Sequence, residues 1–136
     1  YGALIVSNDE IIATGYNGAP RGRKNCNDLN YCTRERLQVP SGERYELCRS
    51  VHAEANAIIS AARRDMVGAT LYLVGVEVTG GYIEGVTPCA MCRRLIINAG
   101  ITRVITRVDK REYQTTHVRD WIYNDDTLAD RVGTIG

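Results

Sequence analysis

Two short stretches constrain this chain more than the rest of it: V-H-A-E-A-N-A-I-I at residues 51–59 and T-P-C-A-M-C-R at residues 87–93. Ser50 is a favourable N-cap, and Val51, Ala55, Ile58, Ile59 and Ala62 recur at helical spacing, which predicts His52 and Glu54 in the opening turns of a helix. Pro88 suits a helix start, Met91, Leu95, Ile96 and Ala99 make an apolar stripe, and Gly100 supplies a stop. Cys89 and Cys92 therefore fall in the first turn of a second helix. A fold that satisfies both patterns lets two helix N-termini converge, and with them an imidazole, a carboxyl group and two thiols.

Neutral imidazole and two thiolates are ligands that divalent zinc prefers, and three protein ligands leave the fourth tetrahedral position open to water, as in catalytic sites. Partial positive charge at a helix N-terminus lowers thiol pKa values and favours a carboxylate nearby. Positions two apart on a regular helix lie on different faces, but a site off the helix end is within reach of both His52 and Glu54. His52 then serves as a ligand while Glu54 handles protons. Taken alone, C-x-x-C reads as readily as a redox dithiol or half of a structural zinc knuckle as it does as part of a catalytic site. H-x-E followed by P-C-x-x-C favours the catalytic reading, because that pair marks zinc deaminases of nucleobases, in which the Glu is general acid and base and not a ligand.

A length of 136 residues predicts one domain spanning 1–136, and 44% hydrophobic with 24% charged residues is ordinary globular composition. No apolar run approaches a membrane span and no signal-peptide pattern is present, so a soluble, cytoplasmic protein is expected. Five cysteines, an odd number, suit a reducing compartment better than a disulfide framework. A net charge of +1 speaks against an extended nucleic-acid footprint, although Arg21, Arg23 and Lys24 suffice for one phosphate.

In chain order, Ala3 to Val6 and Glu10 to Thr14 form a hairpin turned at Ser7-Asn8-Asp9. The Gly-rich run from Gly15 to Gly22 follows, either a plain loop or a cradle for an anion, with Asn17 in reach of a ligand. Residues 23–50 are a long polar connection, with a short helix at Thr33 to Leu37 and three cysteines, Cys26, Cys32 and Cys48. These are either unliganded thiols or candidates for a second, structural zinc whose fourth ligand could be Asp28, His117 or water. The His52 helix runs to about Arg64, Thr70 to Val78 is a buried strand, Gly80-Gly81 turns a small hairpin with Tyr82 and Ile83, and Ile101 to Val108 is a further strand. Strands alternating with helices imply an α/β fold with a mixed sheet. Asp109 to Thr116 is a polar segment in which Lys110, Arg111 and Tyr113 are either phosphate contacts or solvated charge; Val118 to Tyr123 reads as one more strand, and Thr127 to Arg131 as a terminal helix capped by Asp125 or Asp126.

The chain resembles the cytidine and deoxycytidylate deaminase superfamily, nearest its deoxycytidylate branch, on A-T-G-Y-N-G-A-P-R-G at 13–22, H-A-E-A-N-A-I at 52–58, T-L-Y-L at 70–73 and T-P-C-A-M-C at 87–92. The resemblance implies a three-layer fold, a mixed central sheet flanked by helices. It implies zinc on His52, Cys89 and Cys92, with Glu54 shuttling protons as dCMP is converted to dUMP and ammonia. Asn17 matches a ribose-contacting Asn; the Ala53 backbone would meet the pyrimidine carbonyl, the Thr87 carbonyl the exocyclic amine, and Lys110 and Tyr113 the phosphate. In regulated members the Gly-rich loop, here Asn17, Gly18 and Arg21, serves a site for dCTP activation and dTTP inhibition, often within a hexamer, so a homo-oligomer is expected.

Three departures bear on this. Members normally carry an N-terminal helix before the first strand, absent here, so the sequence is expected to omit part of the natural chain. The connection from Gly75 to Gly85 is longer than usual, and Asn25 and Tyr45 stand where relatives with a second zinc often show His. Two rival functions stay open: deamination of another cytosine or adenine substrate, as nucleoside or in tRNA, and a non-catalytic nucleotide-binding accessory protein.

Overall fold

The computed structural model describes residues 1–25, 33–38, 51–76, 80–83 and 85–124. They fall into two compact units, the first Tyr1–Asn17 with His52–Tyr123 and the second Gly18–Val51 with Asn124–Gly136.

The first unit is built on a five-stranded sheet. Strands β1 (Gly2–Ser7) and β2 (Glu10–Tyr16) form the expected hairpin. Asn8 and Asp9 both take positive φ, 52° and 63°, as a two-residue type I′ turn requires, and the register shifts between Ile5 and Val6. β3 (Thr70–Val74), β4 (Arg103–Arg107) and β5 (Tyr113–His117) complete the order β2-β1-β3-β4-β5, with β3 and β4 parallel and the other pairs antiparallel. The sheet is mixed, as the alternation of elements predicts.

Alternation along the strands sends Ala3, Ile5, Ala13, Leu71, Leu73 and Val104 to one face, all buried. Four helices pack there: α2 (Ala53–Ile59) through Ala53 and Ala57, α3 (Arg63–Met66) through Met66, α4 (Ala90–Ala99) through Ile96 and Ala99, and α5 (Val118–Tyr123) through Val118. On the opposite face Leu4 and Tyr72 are exposed, and an open groove of about 430 Å³ runs past Tyr72, Tyr82, Ile105, Arg107 and Tyr113. Helices on that face, the third layer of the expectation, are not among the described elements.

Several boundaries differ from the sequence reading, among them the start of the His52 helix, which is capped by His52 and not by Ser50. The helix after His52 stops at Ser60, whose hydroxyl donates to the Asn56 carbonyl at 2.8 Å while its N–H tightens onto Ala57; Ala62 is extended, and the chain restarts as α3. Residues Val118–Tyr123 are helix, not strand. Buried Val118 and part-buried Trp121 lie three apart, a helical spacing that β-branched and aromatic content masks. The last strand is instead Tyr113–His117, which begins inside the Asp109 to Thr116 segment taken as polar and runs one residue past it, and it pairs with β4 from Arg103↔His117 to Arg107↔Tyr113.

β3 ends at Val74; beyond it Val76 bridges Tyr82 and the Ile83 N–H donates to Gly75, so the small hairpin exists. α4 ends on Gly100 at φ 83°, where a side chain would stand 2.9 Å from Val67 Cγ2.

In the second unit Gly18 and Val51 exchange backbone hydrogen bonds, Arg23 N–H closes a turn on Pro20, and the Asn25 side chain accepts from the Ala19 N–H at 2.8 Å. Helix α1 (Thr33–Arg36) is a single turn. Cys26, Asp28, Cys32, Cys48 and the terminal helix at 127–131 lie outside the described residues.

Candidate active site

His52 is the N-cap of α2, extended at φ −68° and ψ 153°, and its side chain makes no capping bond to the helix. Because a cap residue stands outside the helical spiral, His52 and Glu54 are not bound to the spacing that separates positions two apart. Cys89 is the matching N-cap of α4, at φ −68° and ψ 169°, and Cys92 follows within the first turn. α2 and α4 pack against one another. His52 Nδ1 stands 3.5 Å from Cys89 Sγ and 3.5 Å from Cys92 Sγ.

Those separations test the metal. A tetrahedral zinc with bonds of about 2.05 Å to nitrogen and 2.3 Å to sulfur has an N···S edge of about 3.5 Å. The three ligand atoms lie within 4.8 Å of one another, the one such cluster among the described residues. Donor type, number and spacing all fit zinc, and His52, Cys89 and Cys92 are positioned to hold it.

In the metal-free protein the two thiols are tied together. A hydrogen bond from Cys92 holds the Cys89 thiol down to about 4, and the Cys92 thiol, which keeps its proton as donor to Cys89 and is also buried, is raised. The pair therefore shares one proton. Glu54 is 5% exposed, and burial raises its carboxyl above the ordinary range although Cys92 hydrogen-bonds to it. A buried carboxyl group with a raised pKa thus sits beside the ligand cluster.

What holds α2 in place is a close approach. Gly15 of β2 lies so near the helix that a methyl group there would collide with the Ala53 carbonyl oxygen and the Ala57 amide nitrogen. Asn56 Nδ2 donates to the Tyr16 carbonyl at 2.8 Å, pinning the same helix to the end of β2. The sequence reading passed over Asn56; its signal was an amide side chain inside a short helix, where Asn is a poor former.

The zinc-binding region of cytidine and deoxycytidylate deaminases matches residues 1–108 as a family model. The chain belongs to that family. A deoxycytidylate deaminase of Mycobacterium phage D29 is 39% identical over 110 residues, 76% of this chain and 74% of its own length. That of Schizosaccharomyces pombe is 36% identical over 104 residues, again 76% of this chain but 29% of the yeast protein. Among solved structures, dCMP deaminase from cyanophage S-TIM5, crystallised with dCMP and dUMP, superposes with a TM-score of 0.50 at 27% identity, covering 81% of this chain and 66% of that one. The family's α/β fold and its zinc set are thus both present.

Other expected site residues of this deaminase-family chain are distributed as follows. Ala53 is fully buried at the start of α2, and Thr87 is exposed just before Cys89. Asn17 is exposed, and its Oδ1 accepts a hydrogen bond from the Tyr1 amine at 2.8 Å. Gly18 and Arg21 belong to the second unit. Tyr113, 63% exposed, lines the groove on the open sheet face, whose lining does not include His52, Glu54, Cys89 or Cys92. Arg107 ties Tyr113 there: its Nη1 donates to the phenolic oxygen at 3.2 Å, and it also donates to the carbonyls of Asp109 and Lys110 while lying 4.2 Å over the Tyr82 ring. Asp109 Oδ1 accepts from the N–H groups of Arg111 and Glu112, which hold its carboxyl below the usual range. No helix among the described residues is long and apolar enough to cross a membrane.

Proposed function

We propose that this chain hydrolytically deaminates dCMP to dUMP and ammonia, as a single domain over residues 1–136. The observation that carries the reading is Glu54, buried beside a ligand set that leaves a tetrahedral position open. A structural zinc site has no use for an acid there. The deoxycytidylate deaminases among the chain's relatives and the S-TIM5 complex support the choice of substrate.

When bound, zinc supplies Lewis acidity, which brings the pKa of a coordinated water from about 15.7 toward 7. Glu54 performs the proton transfers. Its carboxylate accepts a proton from the water that adds to C4 and delivers it to N3. It then moves the remaining hydroxyl proton to the exocyclic amine, the C4–N4 bond breaks, and the products are the uracil carbonyl and ammonia. Burial suits Glu54 to this exchange, because a raised pKa brings its two protonation states closer in energy near neutrality. The Ala53 backbone and the Thr87 carbonyl, which flank the ligands His52 and Cys89 in the chain, orient the pyrimidine, and Asn17 meets the ribose.

Lys110 and Tyr113 are the proposed phosphate contacts. Asn17, Gly18 and Arg21 form the proposed effector loop for dCTP and dTTP, in a homo-oligomer. Cys26, Cys32 and Cys48 are candidates for a second, structural zinc.

The test is ammonia release from dCMP, deoxycytidine, cytidine and adenosine by zinc-loaded protein, with zinc measured per chain. Preference for dCMP supports the reading. Zinc-loaded protein that turns over none of the four refutes it.

A further inference from the structure

Arg93 directly follows the second cysteine ligand, yet its side chain turns back toward the start of α4. Nε donates to the Pro88 carbonyl at 3.1 Å and Nη2 to Thr87 Oγ1 at 3.4 Å. The guanidinium also lies 5.3 Å over the ring of Trp121 on α5. The segment it grips has few other polar ties: among the described residues, no backbone–backbone hydrogen bond reaches Thr87 or Pro88. Pro88 has no N–H to offer, and the Thr87 side chain is exposed. Buried Val86 and Pro88 anchor the segment against the core but do not fix the rotation of its peptide planes.

The geometry points to Arg93 as a positioning residue for the deamination reaction. Held over the Trp121 ring, its planar fork fixes the Thr87–Pro88 segment, and with it both the entry into Cys89 and the direction of the Thr87 carbonyl. This rests on the deaminase reading above, in which that carbonyl receives the substrate's exocyclic amine. The fork is the feature that matters. A guanidinium reaches the Pro88 carbonyl and the Thr87 hydroxyl together while stacked on an indole, which an ammonium group does not do. Neither arginine nor tryptophan touches the substrate; each acts on the backbone that does.

The experiment compares wild type, Arg93→Met and Arg93→Lys in ammonia release from dCMP, with zinc per chain, thermal midpoint and tryptophan emission measured on the same samples. Methionine keeps an apolar stem over Trp121 and removes every donor. With zinc still at one per chain at the His52 site, kcat per bound zinc should fall about tenfold to hundredfold, the range for misplacing a reacting group by about 1 Å, while KM changes much less. Lysine should recover part of the loss. Trp121 is the only tryptophan in the sequence, so its emission should change in Arg93→Met with or without metal.

Wild-type kcat per bound zinc in Arg93→Met, or a loss that follows zinc content and thermal midpoint alone in both variants, overturns the inference while leaving the deaminase reading intact. Unchanged emission removes the stacking on which it depends. A zinc-loaded wild type without activity removes the deaminase reading, and this inference with it.

Discussion

The contact between Gly15 and α2 makes the sharpest demand on the sequence, and Gly15→Ala tests it. Gly15 is not among the residues at positive φ, so alanine is free to adopt its backbone conformation and the substitution tests sterics alone. The added methyl would meet the Ala53 carbonyl oxygen and the Ala57 amide nitrogen, and would stand 3.0 Å from Ala57 Cα. These are backbone atoms of a helix and have no rotamer to escape into. Restoring ordinary contact requires α2 to retreat from β2 by about 1 Å.

Overpacking of this kind costs about 1–3 kcal/mol, a fall in thermal midpoint of roughly 3–15 °C for a domain of this size. The retreat carries His52 and Glu54 with it, while Cys89 and Cys92 stay on α4. Ammonia release should therefore drop about a hundredfold, and zinc affinity should weaken, beyond what the stability loss alone would produce at a temperature well below the midpoint. The assay is kcat/KM at 15 °C alongside a chelator titration of bound zinc and a thermal melt. Gly15→Ala protein with wild-type zinc affinity and kcat/KM would refute the claim that this approach sets the site.

Two further expectations concern the site itself. Glu54→Gln should keep zinc at the wild-type stoichiometry and lose about 10²- to 10⁴-fold in kcat, the usual share of a general acid and base; full activity with glutamine would remove its assigned role. Because Cys89 is ionised above about 4 and Cys92 holds its proton through neutral pH, zinc uptake by the metal-free protein should expel close to one proton from the cysteine pair at pH 7.5. Apparent zinc affinity then rises with pH, by about tenfold per unit for one proton released. Calorimetry in two buffers of different ionisation enthalpy measures the number, and zero refutes the shared-proton description.

The parts of this molecule that were legible in its sequence are those written locally. The I′ turn at Asn8-Asp9 and the Gly100 stop each depend on a few neighbouring residues, and each is where the pattern places it; the starts of α2 and α4 were legible to within two residues, the caps being His52 instead of Ser50 and Cys89 itself instead of a residue before it. β5 was not legible, because four of its five residues are exposed and an edge strand without a buried face shows no alternation. Val118–Tyr123 misled for the opposite reason: its valine, tryptophan and isoleucine suit a strand, and only packing against α4 and β5 selects a helix. The ligand set was readable from spacing. The devices that aim it, Gly15, Asn56 and Arg93, were not, because each acts across a tertiary contact and no sequence period connects the partners.

The ligands enter from separate parts of the sheet, and this decides how removal of metal should act. His52 follows the β1–β2 hairpin in the chain, and Cys89 and Cys92 lie on the connection between β3 and β4. Zinc thus crosslinks segments whose relative position is otherwise set by packing. The core beneath does not need it: Ile5, Leu71, Ile96 and Val104 are at 0% exposure and none is a ligand. Chelation should therefore lower stability without unfolding the chain, unlike a small zinc finger whose fold is its metal site. With free zinc at about a thousand times its dissociation constant, linkage contributes about 4 kcal/mol, or roughly 10–20 °C in thermal midpoint. Circular dichroism of the chelated protein at 20 °C should keep its helix and strand signal, with a cooperative melt displaced downward by that amount. A melt unmoved by chelation would mean that His52, Cys89 and Cys92 do not bind zinc in the folded state, and a chelated protein without a cooperative transition would mean that the sheet core is insufficient on its own.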